Sequence, residues 1–442
     1  MRISPFWRRT LTLLVLLVVL LFAGFLWQRP LLHIGAGYAA KHACSCHFLQ
    51  GRELEEIREH DLNFSVLGQV SLSVTNKAVT ASFYGLTPRR AVYREGKGCT
   101  LINDEDWETV DLRTVNYSGA VAGAGGRTKS PTKLNPALDA ALDYGMAPVP
   151  GGGARGLVIM QNGVVIGERY ATGYDADTPL LGWSMTKTLT ALLYGGTLPF
   201  DGSANITADV ARTGLFQEWA QDERNNISVA DLLHMNSGLA WNEAYGAISD
   251  ATIMLHEQPY MAAYAAGMPT EYPPGEVWKY SSGTTNVLID LTRQRIDPVS
   301  NMPSYVKQLF GGIAPSLLIE QDQRGNPVGS SYGWATARDW ARLGQFMLQD
   351  GVWEGDTLLP PGWIDWLREP AAGSGGVYGG QTWLPGPDMP SLPKDAFLMR
   401  GFQDQRVIVI PSRRLVVARL GHNDDQVTDF DGLVARVLGV VD

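Results

Sequence analysis

The 442-residue sequence predicts an α+β protein in which an antiparallel sheet is flanked by helices and interrupted by an inserted helical region. Two hairpin patterns lie far apart in the chain. Residues 157–160 and 164–170 are apolar runs joined by Asn162-Gly163, a pair suited to a type I′ turn. Residues 407–410 and 415–420 form the second, joined by Pro411-Ser412-Arg413-Arg414. Short helices are predicted at 136–144 and 426–438, and the stretch between the hairpins is rich in helical periodicity. Strands from both ends therefore bracket a helical middle, as in a layered α+β domain spanning 134–442.

Ahead of it, residues 36–118 predict a small accessory β module. Residues 51–62 are charged and helix-like, and alternation runs through 66–74, 79–83 and 91–93, with Thr75-Asn76-Lys77 as a turn. A linker at 119–133 is rich in Gly, Ala, Ser and Thr. The N-terminus carries a membrane signal. A basic tip, 1–9, contains Arg2, Arg8 and Arg9, and precedes an uncharged run closed by Gln28-Arg29-Pro30. Residues 10–28 are thus expected to span a bilayer, with the tip cytoplasmic and the rest exported. That places the chain in a bacterial-type inner membrane, single-pass, with its larger part on the periplasmic side. The alternative is a cleaved signal peptide, but 31–34 offers no small-residue cleavage site and Ala39-Ala40 lies far downstream.

With 45% hydrophobic residues and 13 Trp, the chain can bury one large core and an accessory one. A net charge of −9 without a basic stretch in the soluble part argues against nucleic-acid binding. Of three cysteines, Cys44 and Cys46 follow the span and Cys99 ends the strand-rich region. In an oxidising compartment one early cysteine can bridge to Cys99; Cys44–Cys99 is the expected pair, against three reduced thiols if the chain stays in the cytosol. No metal is expected, because His256-Glu257 lacks the second histidine of H-E-x-x-H and no C-x-x-C occurs.

The chemistry concentrates at Ser184-Met185-Thr186-Lys187, which opens an apolar run stopped by Gly195-Gly196. Residues i and i+3 share a helix face, so the Lys187 amine can reach the Ser184 hydroxyl. A serine becomes nucleophilic when a base takes its proton, and a lysine in a dry pocket has a lowered pKa. The helix start also aims N–H groups at a developing oxyanion. Farther on, Tyr280-Ser281-Ser282-Gly283 follows the turn at 273–276 and opens another helix. Ser228 with Asp231, and Thr336 with Asp339, have capping-box spacing and are assigned to helix starts.

In order and spacing these segments resemble the serine β-lactamase-related hydrolases, the branch of class C β-lactamases, esterases and 6-aminohexanoate-dimer hydrolases, from about residue 134 to the C-terminus. The resemblance implies a β-lactamase/DD-peptidase-like fold with its active site between sheet and helical region. It implies acylation of Ser184, with Lys187 as general base and Tyr280, matching the tyrosine of Y-x-N, as a proton shuttle whose pKa a nearby ammonium would lower. Ser282 stands where the family often has Asn, and is either a hydroxyl that hydrogen-bonds the lysine or a solvated loop serine. The third element, K-T-G, is missing; Met399-Arg400-Gly401-Phe402-Gln403 occupies its place. Gly401, Phe402 or Gln403 would offer a second oxyanion donor, and Arg400 is a candidate for the missing lysine. The departure favours a small ester or amide over a β-lactam, with no cofactor. Trp183, Trp241, Tyr245, Tyr332 and Trp334 are candidates for lining the groove. A Ser-His-Asp triad through His422 and Asp424 is disfavoured because no G-x-S-x-G elbow surrounds Ser184. A catalytically silent envelope-binding module and a penicillin-recognising D-amino-acid peptidase or β-lactamase are the competing classes.

Overall fold

A computed structural model describes residues 5–103, 135–203, 205–207, 216–296 and 301–441. The linker expected at 119–133 and the first four residues of the basic tip lie outside them. The chain begins with α1 (Pro5–Gln50) and α2 (Leu54–His60), followed by strands β1 (Val70–Thr75), β2 (Ala78–Phe83), β3 (Leu86–Arg94) and β4 (Gly98–Ile102). Next come α3 (Pro136–Gly145), β5 (Gly153–Gln161), β6 (Val164–Tyr170), β7 (Pro179–Leu181) and α4 (Met185–Gly195). The helical middle holds α5 (Val229–His234), α6 (Asp250–Glu257), α7 (Met261–Ala266), α8 (Ser282–Arg295) and α9 (Met302–Phe310). The chain returns through β8 (Leu318–Ile319), β9 (Gly333–Thr336), α10 (Ala337–Leu348), β10 (Val352–Trp353), β11 (Asp356–Thr357) and α11 (Trp363–Leu367). It ends with β12 (Phe397–Gly401), β13 (Gln405–Ile410), β14 (Leu415–His422) and α12 (Phe430–Leu438).

The central sheet has the order β12-β13-β14-β5-β6, antiparallel throughout, so the two predicted hairpins pair with each other. Alternation along these strands sorts their side chains to two cores. Val158, Val407, Val409 and Val416 join the core of α4, α8 and α10, whereas Leu157, Ile159, Ile408 and Val417 face α3 and α12. Asn162 (φ 52°) and Gly163 (φ 77°) make the expected turn. The last helix starts four residues later than predicted. The Asp404 carboxylate accepts from the backbone N–H groups of Gln426, Val427 and Thr428 and holds that stretch out of the helix.

The N-terminal region differs from expectation in two ways. The predicted strand over 66–74 is shortened, because Ser65–Gln69 forms a 3₁₀ turn before β1. More consequential, α1 continues past the expected 10–28 span and through Pro30, running 46 residues in all. Its first part is exposed and apolar, long enough to cross a membrane by length and composition. Beyond Pro30 it enters the protein body, and Ala36, Ala39, Ala40 and Ala43 pack on the β1–β4 sheet. That i, i+3, i+4, i+7 stripe of small residues lets the sheet approach closely, which offsets the hydrogen bond Pro30 removes. Cys44 and Cys99 form a disulfide between α1 and β4, and Cys46 is buried and free.

Glu320 fastens this region to the rest of the protein. Fully buried, its carboxylate accepts from Lys41 Nζ, from Ser45 Oγ at 2.9 Å, from the Cys99 backbone N–H at 2.6 Å and from Trp334 Nε1 at 2.8 Å. Asp61 is held by Arg52 and Arg155, and Glu257 by His33 and Arg89. Glu320→Ala would leave the Lys41 ammonium buried without its partner, at an expected cost of about 3–5 kcal/mol. Denaturant unfolding of the full chain in detergent checks this, and a change below about 1 kcal/mol would refute it.

Candidate active site

Every residue of α4 is buried, so the helix is enclosed on all faces and carries Lys187 into the interior. Gly182 packs against Trp340, and its carbonyl faces Gly401, where an added Cβ would lie 2.1 Å away; the loop before α4 and the end of β12 are thereby pressed together. Trp183 follows in left-handed backbone, φ 47°, a conformation costly for a bulky residue. Its ring is held by Tyr38 of α1, stacked at 6.1 Å, by Phe402 at 5.9 Å and by a 3.1 Å hydrogen bond to Gln403 Oε1. Ser184 then occupies the N-cap position with helical angles (φ −65°, ψ −5°) and makes no capping hydrogen bond with its side chain. Its hydroxyl stays available.

Lys187 Nζ lies 3.1 Å from Ser184 Oγ, 2.8 Å from Ser282 Oγ and 3.0 Å from the Ser330 carbonyl oxygen. Burial brings its pKa down to about 8, against the opposing pull of the Glu243 carboxylate. Protons can be counted here. The Ser330 carbonyl only accepts, and Ser282 gives its own proton to Glu243. A neutral Lys187 therefore spends its two N–H bonds on Ser330 and Ser282. Its lone pair is left for the Ser184 proton. Ser282, fully buried, is no solvated loop serine.

Tyr280 places its ring centroid 4.9 Å from Lys187 Nζ, and its phenol is near enough to Ser184 for that hydroxyl to pull its pKa down. Its pKa departs from the expected lowering. Burial, then the Glu243 charge, push the phenol well above its usual value despite Ser184, Arg400 and Arg406. It stays protonated at neutral pH and holds its proton more tightly than a free phenol does. Trp383, 5.6 Å away, and Tyr378, 5.8 Å away, pack around its ring.

Sequence reasoning missed Glu243. It lies in the loop between α5 and α6, and its carboxylate accepts from the Ser282 N–H at 2.8 Å, the Ser282 hydroxyl, the Tyr245 hydroxyl and Trp241 Nε1. Such a carboxylate has no local signature; only the aromatic donors Trp241 and Tyr245 on either side hinted at one. Phe402 lines the same cavity as Ser184, Gln403 turns its side chain toward Trp183, and Gly401 provides the close approach. Arg400 pairs with Asp388 at 3.4 Å and stacks over Trp383. Of the groove aromatics, Trp183 and Tyr245 line the cavity. Tyr332 and Trp334 instead face α1, through Lys41 and Glu320, and Trp241 packs on Gly283. His422 is buried between Gln403 and His42. His42, Asp61 and His422 approach within metal-ligand spacing, yet Arg52 and Arg155 already engage both Asp61 oxygens, and two guanidinium charges oppose a cation there.

A helix-borne Ser–Lys pair beneath a five-stranded antiparallel sheet defines a serine hydrolase. The Beta-lactamase family model matches residues 138–438, and the chain belongs to that family. Solved structures share the fold at low identity. A putative 6-aminohexanoate-dimer hydrolase from Bacillus anthracis superposes with a TM-score of 0.54 at 18% identity, covering 69% of this chain and 81% of that one. A penicillin-binding protein homologue from Caulobacter crescentus gives 0.54 at 16%, covering 70% and 98%. A family VIII carboxylesterase gives 0.50 at 14%, covering 69% and 95%. No curated protein sequence matches significantly.

Proposed function

We propose that this protein is an exported, membrane-anchored esterase or amidase that works through a Ser184 acyl-enzyme. The carrying observation is the buried Lys187 amine, hydrogen-bonded to Ser184 and already tuned to about 8. In this reading Lys187 takes the Ser184 proton as Oγ attacks the substrate carbonyl. The Ser184 and Phe402 N–H groups receive the oxyanion. Tyr280 gives its proton to the leaving group and is reprotonated from Lys187; water then releases the acid. The α1 span anchors the enzyme, and the Cys44–Cys99 disulfide fits an oxidising compartment.

Glu243 acts as a positioning residue. It fixes the Ser282 hydroxyl so that Ser282 accepts from Lys187, and its charge favours the ammonium. Glu243→Gln removes that charge, so the Lys187 pKa falls and the acid limb of kcat/KM moves to lower pH. An unmoved limb in a pH–rate series would refute this role.

The full-length protein in detergent, offered a p-nitrophenyl ester, a 6-aminohexanoate dimer and a chromogenic cephalosporin, tests the reading. Hydrolysis of the ester or the dimer, lost in Ser184→Ala, supports it. Turnover of the cephalosporin alone would favour the penicillin-recognising class instead. That class is disfavoured by the missing K-T-G lysine, since Arg400 near its place pairs with Asp388 and stacks over Trp383. Retention of peptidoglycan without any hydrolysis would favour a silent binding module.

A further inference from the structure

Ser184 opens onto a cavity of about 180 Å³ whose wall is mostly apolar. One side is built by the hydrolase domain, with Trp183, Tyr245, Leu255 and Phe402. The opposite side comes from outside that domain: Leu31, Ile34, Gly35 and Tyr38 of α1, and Phe64 to Leu67 of the turn before β1. The helix that leads toward the membrane thus forms part of the substrate site.

The position along α1 matters. The uncharged run ends at Trp27, which is 80% exposed, and Leu31 lies four residues on, about 6 Å along the axis. Burial of the helix sets in from Leu31. Around this point the surface stays apolar. Phe64 and Val66 line the cavity yet remain exposed. Tyr84 and Leu86 follow Phe83, whose ring an added Cβ at Gly35 would meet at 3.4 Å, and both are exposed; so is Ile248, next to the cavity residue Ala247. Such a collar beside a spanning helix is suited to sit against the lipid headgroups, with Trp27 and Tyr84 as interfacial aromatics.

We propose that this cavity is an acyl pocket, and that the enzyme cleaves esters whose alkyl chain is dissolved in the bilayer. The chain enters along the seam between α1 and residues 64–67, and its carbonyl stops at Ser184. The Ser184 Oγ–acyl bond forms as the ester C–O bond breaks, and the Ser184 proton passes through Lys187 and Tyr280 to the departing alcohol. Water then splits the acyl-enzyme, returning a proton to Ser184 and releasing the fatty acid. The proposal rests on the acyl-enzyme reading and adds its substrate class. Ground-state partition into the membrane would supply substrate at the pocket mouth, and each methylene seated in an apolar wall adds discrimination.

The test uses the full-length protein in detergent micelles, with p-nitrophenyl butanoate and dodecanoate as probes. The wild-type kcat/KM for dodecanoate is expected to exceed that for butanoate by at least about tenfold. Val66→Trp and Leu31→Trp narrow the pocket from the two elements that build its N-terminal wall, and each should lower that ratio by about tenfold or more. A preference for butanoate in the wild type, or ratios unchanged in both variants, overturns the acyl pocket while leaving the hydrolase intact. Labelling of Ser184 by a fluorophosphonate without hydrolysis of either ester also overturns it. Absence of both labelling and hydrolysis overturns the acyl-enzyme reading, and the pocket with it.

Discussion

Replacing Ser184 by Ala is expected to abolish covalent labelling by a serine-reactive fluorophosphonate and to reduce ester hydrolysis by about 10⁴-fold or more. The side chain makes no capping hydrogen bond, and its neighbours keep the backbone in place without it. Met185 donates to the Gly182 carbonyl at 3.1 Å and Gly182 to that of Gly333 at 2.8 Å, both through main chain. The variant should therefore fold with essentially wild-type stability, so lost turnover reports chemistry. Residual hydrolysis would come from substrate binding and the oxyanion donors alone. Undiminished labelling of the variant would place the nucleophile elsewhere and end the assignment.

The second large effect concerns Lys187. As general base it must be neutral, and its pKa is brought down to about 8. Activity of the wild type should rise with pH through that value and then level, because deprotonation creates the active form. Glu243 supplies the charge that favours the ammonium, while neutral Ser282 and Tyr280 lie against the amine and Tyr245 contacts Ser282. Lys187→Ala should cost about 10³-fold in kcat and erase the limb near 8. Loss of rate with the limb retained would mean that another group titrates, and the base assignment would fall. Lys187→Arg is not expected to rescue, since a guanidinium stays protonated.

Much of this site could be read from local pattern. An i, i+3 pair on a helix meets through backbone geometry alone, so Ser184 and Lys187 need no distant information to face each other. The hairpin at Asn162-Gly163 and the cap at Ser228 are equally local; both halves of the Ser228–Asp231 box form. Tyr280 was singled out through the resemblance of its segment to the family's Y-x-N element, yet its charge state was not legible. The lowered pKa expected from a neighbouring ammonium assumed an open site, whereas burial governs the phenol. Ser282 shows the same limit. Its hydroxyl looks like any loop serine in one dimension, and becomes the second partner of Lys187 once α8 packs on α4.

The continuation of α1 through Pro30 was not legible locally, for a physical reason. Proline ends a helix when the lost hydrogen bond has no compensation, and nothing adjacent to it announces the compensation. The alanine stripe from Ala36 to Ala43 does, but its value depends on a sheet formed 30 to 60 residues later. Glu243 likewise reaches Ser282 across 39 positions, and Glu320 reaches Lys41 across 279. Residue spacing was enough to bring Lys187 to Ser184 and to lay out the antiparallel layers, because short-range hydrogen-bond geometry and periodic burial dictate them. The dryness that tunes Lys187, the carboxylate that orients its partner and the α1 wall of the pocket arose from long-range packing. Contacts of that range are fixed by how apolar faces close on each other in three dimensions, and no local stretch of chain encodes them.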